Sequence, residues 1–153
     1  GSPSAECLFV GEAPGSEEDR RGLPFVGRAG QLLNEMIVAL GLDREQTYIA
    51  NVLKCRPPDN RDPRGEEVRS CESYLHQQIE LLEPQLIIAL GRFAAQSLLK
   101  SSLPIGKLRG QCHTYKPFGI PLIATYHPAY LLRSPLEKRR VWSDLILAKA
   151  VLS

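Results

Sequence analysis

The 153-residue chain has no apolar run near the ~20 residues that cross a bilayer. A membrane-spanning helix within it is therefore excluded. Net charge is small, since 19 Lys and Arg against 17 Asp and Glu leave +2. That balance by itself specifies no polyanionic partner. Cysteine is scarce: four in a chain of this length do not make the dense disulfide framework of small secreted domains. There is no internal repeat and no sign of a second domain, so residues 1–153 are expected to fold as one unit with its own core. Two phosphate-binding signatures are also missing. No G-x-G-x-x-G opens a helix, and no Gly-Lys-Ser/Thr closes a P-loop.

What is present is an alternation of elements. Apolar runs at 6–10, 47–53, 85–90 and 121–126 read as strands, with a weaker candidate near 111–115. Ile87, Ile88, Ala89 and Leu90 form a continuous run, the pattern of a strand buried on both faces. Residues 28–41 place Leu32, Leu33, Met36, Ile37 and Leu40 on one helical stripe, and Gly41 stops it. Residues 64–83 repeat the pattern with Val68, Cys71, Leu75, Ile79 and Leu82, and Pro84 ends it. Residues 92–100 and 136–152 complete the helices. Strands alternating with helices predict an α/β fold, a three-layer α/β/α sandwich around a four-stranded parallel sheet. Arg56 to Pro63 reads as an exposed loop stiffened by proline.

In such sheets ligands bind beyond the carboxyl ends of the strands. Two segments stand there. Gly11-Glu12-Ala13-Pro14-Gly15 follows the first strand and leads to Gly22-Leu23-Pro24-Phe25-Val26-Gly27-Arg28-Ala29-Gly30. His127-Pro128-Ala129-Tyr130-Leu131-Leu132-Arg133 follows the last. The carboxylate of Glu12 argues against a simple phosphate cradle. Phe25, in a loop between Pro24 and Gly27, is either a loop anchor or a platform for a ligand. Asn51 ends an apolar strand, as a cap or as an amide that reads a ligand edge with a donor and an acceptor. His127 holds a rim position suited to catalysis or to structure. Lys54, Arg56, Arg61 and Arg64 cluster after one strand, and Arg133, Lys138, Arg139 and Arg140 after another. These are a solvated surface or a positive rim for phosphates. Cys7 and Cys112 lie in strands and read as small core residues. Cys55 and Cys71 are two buried thiols or two metal ligands.

Taken together, the Gly-Glu-Ala-Pro-Gly run, Gly-x-Pro-Phe-Val-Gly-x-Ala-Gly, Asn-Val-Leu-Lys-Cys-Arg-Pro-Pro (51–58) and His-Pro-Ala-Tyr-Leu-Leu-Arg (127–133) resemble the uracil-DNA glycosylase superfamily, family four, the thermostable iron–sulfur type. Order and approximate spacing match over essentially the whole chain. The resemblance implies a DNA repair enzyme that flips uracil from the stack and hydrolyses its N-glycosidic bond. By that resemblance Phe25 stacks on the flipped base, and Asn51 accepts from N3–H and donates to O4. His127, with backbone N–H groups near Glu12 and Ala13, stabilises charge on O2. Glu12 excludes the thymine methyl, orients water or steadies the sugar cation. Related families place an Asp or Asn water-activator near this turn. Here that position is filled differently, which shifts weight to leaving-group stabilisation. Gly15, Arg56, Tyr130, Leu131, Leu132 and Arg133 are the implied DNA contacts, with Leu131-Leu132 as a wedge.

The resemblance also implies a 4Fe–4S cluster on four cysteines. Cys55 and Cys71 match the last two, and the first pair belongs to a Cys-x-x-Cys upstream of the first strand. The chain is expected to lack that N-terminal segment and to hold the cluster poorly or not at all. It is further expected to act as a monomer on single- or double-stranded uracil-containing DNA, away from membranes, in a prokaryote-like cytoplasm. One rival is a relative that binds or cross-links uracil-DNA without turnover. Such relatives carry a basic, His-containing insert after the first motif, which Glu18-Asp19-Arg20-Arg21-Gly22 does not show. A more distant rival is a nucleotide hydrolase holding magnesium on Glu12, Glu17, Glu18 and Asp19.

Overall fold

The computed structural model describes residues 1–153. The strands are β1 (Cys7–Gly11), β2 (Thr47–Asn51), β3 (Leu86–Leu90), β4 (Cys112–Tyr115) and β5 (Ile120–Thr125). The helices are α1 (Ser16–Arg21), α2 (Arg28–Ala39), α3 (Gly65–Leu82), α4 (Arg92–Leu99), α5 (Ile105–Leu108), α6 (Pro128–Arg133) and α7 (Lys138–Leu152). They form one sheet in the order β2-β1-β3-β5-β4.

The period of two along each strand sorts its residues between two cores. Cys7 and Phe9 of β1, with Leu86, Ile88 and Leu90 of β3, face α2, α6 and α7. Leu8 and Val10, with Ile87 and Ala89, face α3 and α4. Every residue of β1 and β3 is buried, which is why these runs lack polar alternation. The helices end where the sequence indicates. Gly41 takes φ +81 just past α2, and Glu83 takes the left-handed φ +49 ahead of Pro84. Burial pushes the Cys7 thiol up to about 12, so Cys7 serves as an inert core residue.

The sheet has five strands rather than the expected four. β2, β1, β3 and β5 run parallel, while β4 pairs antiparallel with β5. The reason is the short connection: the Gly119 N–H donates to the Tyr115 carbonyl at 2.9 Å, with φ +67 at Gly119, and so closes a hairpin. A link of this length cannot carry the crossover that a parallel pair needs. As a consequence Cys112 lies on the open edge and is exposed, which corrects its reading as a core residue.

The parallel strands bring four chain turns to one rim. Gly11 pairs with Asn51 and Leu90 with Thr125, so the segments after β1, β2, β3 and β5 emerge side by side. The β5 corner is braced from beneath. Buried Asp144 of α7 accepts from Thr125 Oγ1 at 2.6 Å, from Arg109 at 2.8 and 3.0 Å, and from the Gly110 N–H at 3.1 Å. With its oxygens matched by donors, this buried ion pair meets the condition under which such pairs are tolerated.

Candidate active site at the strand termini

The turn after β1 depends on the absence of a side chain at Gly11. A Cβ there would stand 2.6 Å from both Asn51 Oδ1 and Phe25 Cζ. The amide of β2 and the ring of the following loop therefore meet over bare backbone. Phe25 takes φ +49, unusual for a residue with a side chain. Arg44 holds it there, donating to the carbonyls of Phe25 and Pro24 at 3.0 and 2.6 Å and to Asn34 Oδ1 at 2.9 Å. Gly30 of α2 passes so close to the Phe25 carbonyl that any Cβ would overlap it.

Glu18 joins the two halves of the first motif. Its carboxylate accepts from the Gly15 N–H at 3.1 Å, the Val26 N–H at 3.0 Å and the Gly27 N–H at 3.2 Å. Sequence reasoning considered Glu18 only as a magnesium ligand in the rival reading and missed this role. Its three-residue spacing from Gly15, the spacing of a capping box, was the available signal. The same bonds engage two of the four acids named for magnesium: Glu18 holds backbone N–H groups, and Glu17 pairs with Arg20 and Arg21.

His127 begins α6, with Pro128 as the first helical residue. The Ala129 N–H donates to His127 Nδ1 at 3.0 Å, so the neutral ring carries its proton on Nε2. Burial, aided by Arg133, lowers the pKa to about 4, with Glu18 opposing. At neutral pH the ring is an uncharged donor. Its face lies against Phe25, centroids 5.5 Å apart and planes at 29°. Gly91, at φ +90, backs it: a Cβ there would be 3.0 Å from His127 Cβ.

Ala13, Gly15, Phe25, Asn51 and His127 line one cleft of about 340 Å³, together with Glu18 and Asn60. Asn51 is buried, and its Oδ1 has no partner. Its own carbonyl accepts from Lys54 Nζ at 2.8 Å, and that ammonium also donates to Gln78 at 2.6 Å. Burial lowers the Lys54 pKa, opposed by Cys71. Asn60, which sequence reasoning passed over inside the proline-rich loop, is fixed by Arg56 Nε at 2.7 Å.

The remaining expected residues stand outside the cleft. Glu12 is half-buried beside it; burial and Asp62 raise its pKa, and Arg92 opposes them. Tyr130 packs on Tyr126 with centroids at 4.9 Å. Leu132 and Arg133 are exposed, but Leu131 is 1% exposed and belongs to the core. The wedge expected from Leu131-Leu132 thus reduces to Leu132, because α6 turns residue 131 inward. Arg61 is tied to Glu67 by two bonds at 2.7 and 2.8 Å. Cys71 Sγ accepts from the Lys54 N–H at 3.5 Å, next to exposed Cys55.

This cleft, lined by Phe25, Asn51 and His127, lies where parallel strands end. The profile of the uracil DNA glycosylase superfamily matches residues 1–146, and the chain belongs to that family. Within it, the chain is 47% identical to the type-4 uracil-DNA glycosylase of Archaeoglobus fulgidus, over 94% of this chain and 75% of that one. It is 43% identical to the type-4 enzyme of Thermotoga maritima, over 99% and 80%. Identity to the type-5 uracil-DNA glycosylase of Thermus thermophilus is 33%, over 83% and 66%.

Proposed function

We infer that the chain is a uracil-DNA glycosylase, cleaving the bond from C1′ of deoxyribose to N1 of uracil and releasing the free base at the opening of base-excision repair. The observation that carries the site assignment is the buried, unpartnered Oδ1 of Asn51. Leaving such an acceptor unpaired costs about 1–3 kcal/mol. The N3–H of uracil removes that cost, and the Asn51 amide then donates to O4. Cytosine offers an acceptor at N3 and a donor at its 4-amino group, so both contacts fail.

Breaking the C1′–N1 bond leaves the electron pair on uracil, shared with O2, and cationic character on the sugar. His127 Nε2–H is the donor for O2, and Phe25 gives the flipped ring a face. Water adds to C1′, and a proton returns to the base, which leaves as neutral uracil. Glu12 stands outside the base cleft, which favours a role toward water or the sugar cation over exclusion of the thymine methyl. Arg56, Tyr130, Leu132 and Arg133 meet the DNA around the lesion. We read the chain as a single domain and a monomer, acting on single- or double-stranded DNA in the cytoplasm; none of its helices is long and apolar enough to cross a membrane.

The iron–sulfur cluster implied by the family fits this chain only in part. Cys71 Sγ accepts from the N–H of Lys54, the residue before Cys55, but no group of three or more ligands forms there. A 4Fe–4S cluster takes four thiolates, so these two residues alone do not hold it, and no step of the hydrolysis is routed through it. An upstream extension carrying a Cys-x-x-Cys is expected to give brown protein with about four irons. Changing both Cys55 and Cys71 to Ser should abolish the iron.

The test of the function is a base-release assay on a uracil-containing oligonucleotide in EDTA. Free uracil and an abasic site are expected. Uracil that stays attached would overturn the hydrolase reading, and a covalent protein–DNA adduct would favour the cross-linking relative.

A further inference from the structure

Helix α7 carries a face that the proposed reaction does not use. It follows α6 through the tight turn Pro135–Glu137, so its first residues stand at the rim. Its one acid, Asp144, is buried and bound to Arg109 and Thr125. The outer side is therefore cationic and apolar. Lys138 and Arg139 are exposed, and neither side chain is paired. Arg140 differs, since it is held by Glu137 at 3.3 Å and the Tyr126 hydroxyl at 3.4 Å. Trp142 is 56% exposed, with Leu136 and Ile146 also open to solvent. It follows Lys138 by four residues and Arg139 by three, so the three share one face.

An exposed indole beside two unpaired cations, with the neighbouring acid Glu137 paired to Arg140, complements a polyanion that carries planar groups. We propose that the Lys138–Arg139–Trp142 face binds the single-stranded flank of the DNA bearing the uracil, the two cations on phosphates and Trp142 stacked on an unpaired base. The inference rests on the reading that the α6 rim meets DNA. Leu132 and Arg133 end where the turn into α7 begins, and Trp142 lies only about 6 Å along the helix from its first residue. A strand leaving the cleft past Arg133 thus runs onto this face.

Trp142 is the only tryptophan, so its emission reports the face directly. The intact chain is titrated with uracil-free single strands of roughly 4 and 16 nucleotides, the span of single-strand site sizes. The longer strand should quench emission and the shorter should not. W142A should weaken binding of the longer strand roughly tenfold, as loss of one stacked base predicts. Changing both Lys138 and Arg139 to Ala should lower the slope of log K against log salt by about 1.4. Saturating single-strand binding without quenching would overturn the proposal. So would stronger quenching by duplex, or a DNA-free emission change that tracks self-association. Uracil release is measured with the same protein preparations on a uracil-containing strand of the longer length. Release without quenching sinks this inference alone, and quenching without release sinks the glycosylase reading instead.

Discussion

A neutral histidine suits an anion that exists only during bond breaking, because it donates without holding the ground state. The bond from Ala129 to Nδ1 fixes the tautomer, and burial keeps the ring uncharged. His127→Ala should therefore lower the single-turnover rate by about 10²–10³ with little loss of DNA affinity, the usual cost of one such donor. Single-turnover kinetics beside a binding titration check this, and equal rates would remove His127 from the chemistry. Asn51 is tested by preference. Asn51→Asp offers a carboxyl that donates when protonated, so uracil excision should slow and the gap between uracil and cytosine should narrow. Paired assays on the two substrates read the ratio; cytosine still fully rejected would mean that Asn51 does not read the base edge. Both positions were legible because each is a polar residue at or just past the end of an apolar run. Gly11 was visible only as part of a motif. Its need, the approach of Phe25 and Asn51 over its missing Cβ, is a contact between segments that no local pattern encodes.

At the level of elements, the turns are precise because a carboxylate at the edge of the cleft holds their backbones. Glu18 spans α1 and the Phe25 loop through three N–H groups. Glu18→Ala leaves those donors short of an acceptor in a half-buried place. The Phe25 platform loosens, and KM for uracil-DNA should rise together with a fall in kcat. Glu18→Gln, which keeps one carbonyl acceptor, should recover part of both. Unchanged kinetics in the Ala variant would show that the loop holds itself. Periodicity found α2, α3, α4 and α7 and the four parallel strands, but not α1, α5 and α6, which at four to six residues are too short to show a helical stripe. It gave only a weak signal for β4, since Cys112–Tyr115 is short, half-exposed and defined by its hairpin partner. Nor could it tell Leu131 from Leu132. Neighbouring apolar residues on a six-residue helix part company only when α2 packs on one of them.

Across the molecule, the same placement that makes His127 a neutral donor sets the acid side of stability. The unfolded imidazole titrates at 6.5 and the folded one at about 4. Between those values the unfolded chain binds more protons, so stability falls as pH drops from 6.5 to 4, by up to about 3 kcal/mol. Glu67 acts next. The Arg61 bond, with the Arg64 N–H, brings it down to about 2, so its contribution holds above 4.5 and is lost as pH falls toward 2. Glu12 works against both. Burial and Asp62 raise its pKa, so the folded chain holds that proton longer, and stability declines as pH rises past 4.5. Denaturant unfolding from pH 8 to pH 2 should show the loss beginning below 6.5, well above the carboxylate range. His127→Gln, which has no titrating ring, should flatten the segment from 6.5 to 4 and leave the later Glu67 decline in place. An unflattened curve would mean that the ring titrates alike in both states, and the enclosed neutral donor on which the O2 contact depends would fall with it.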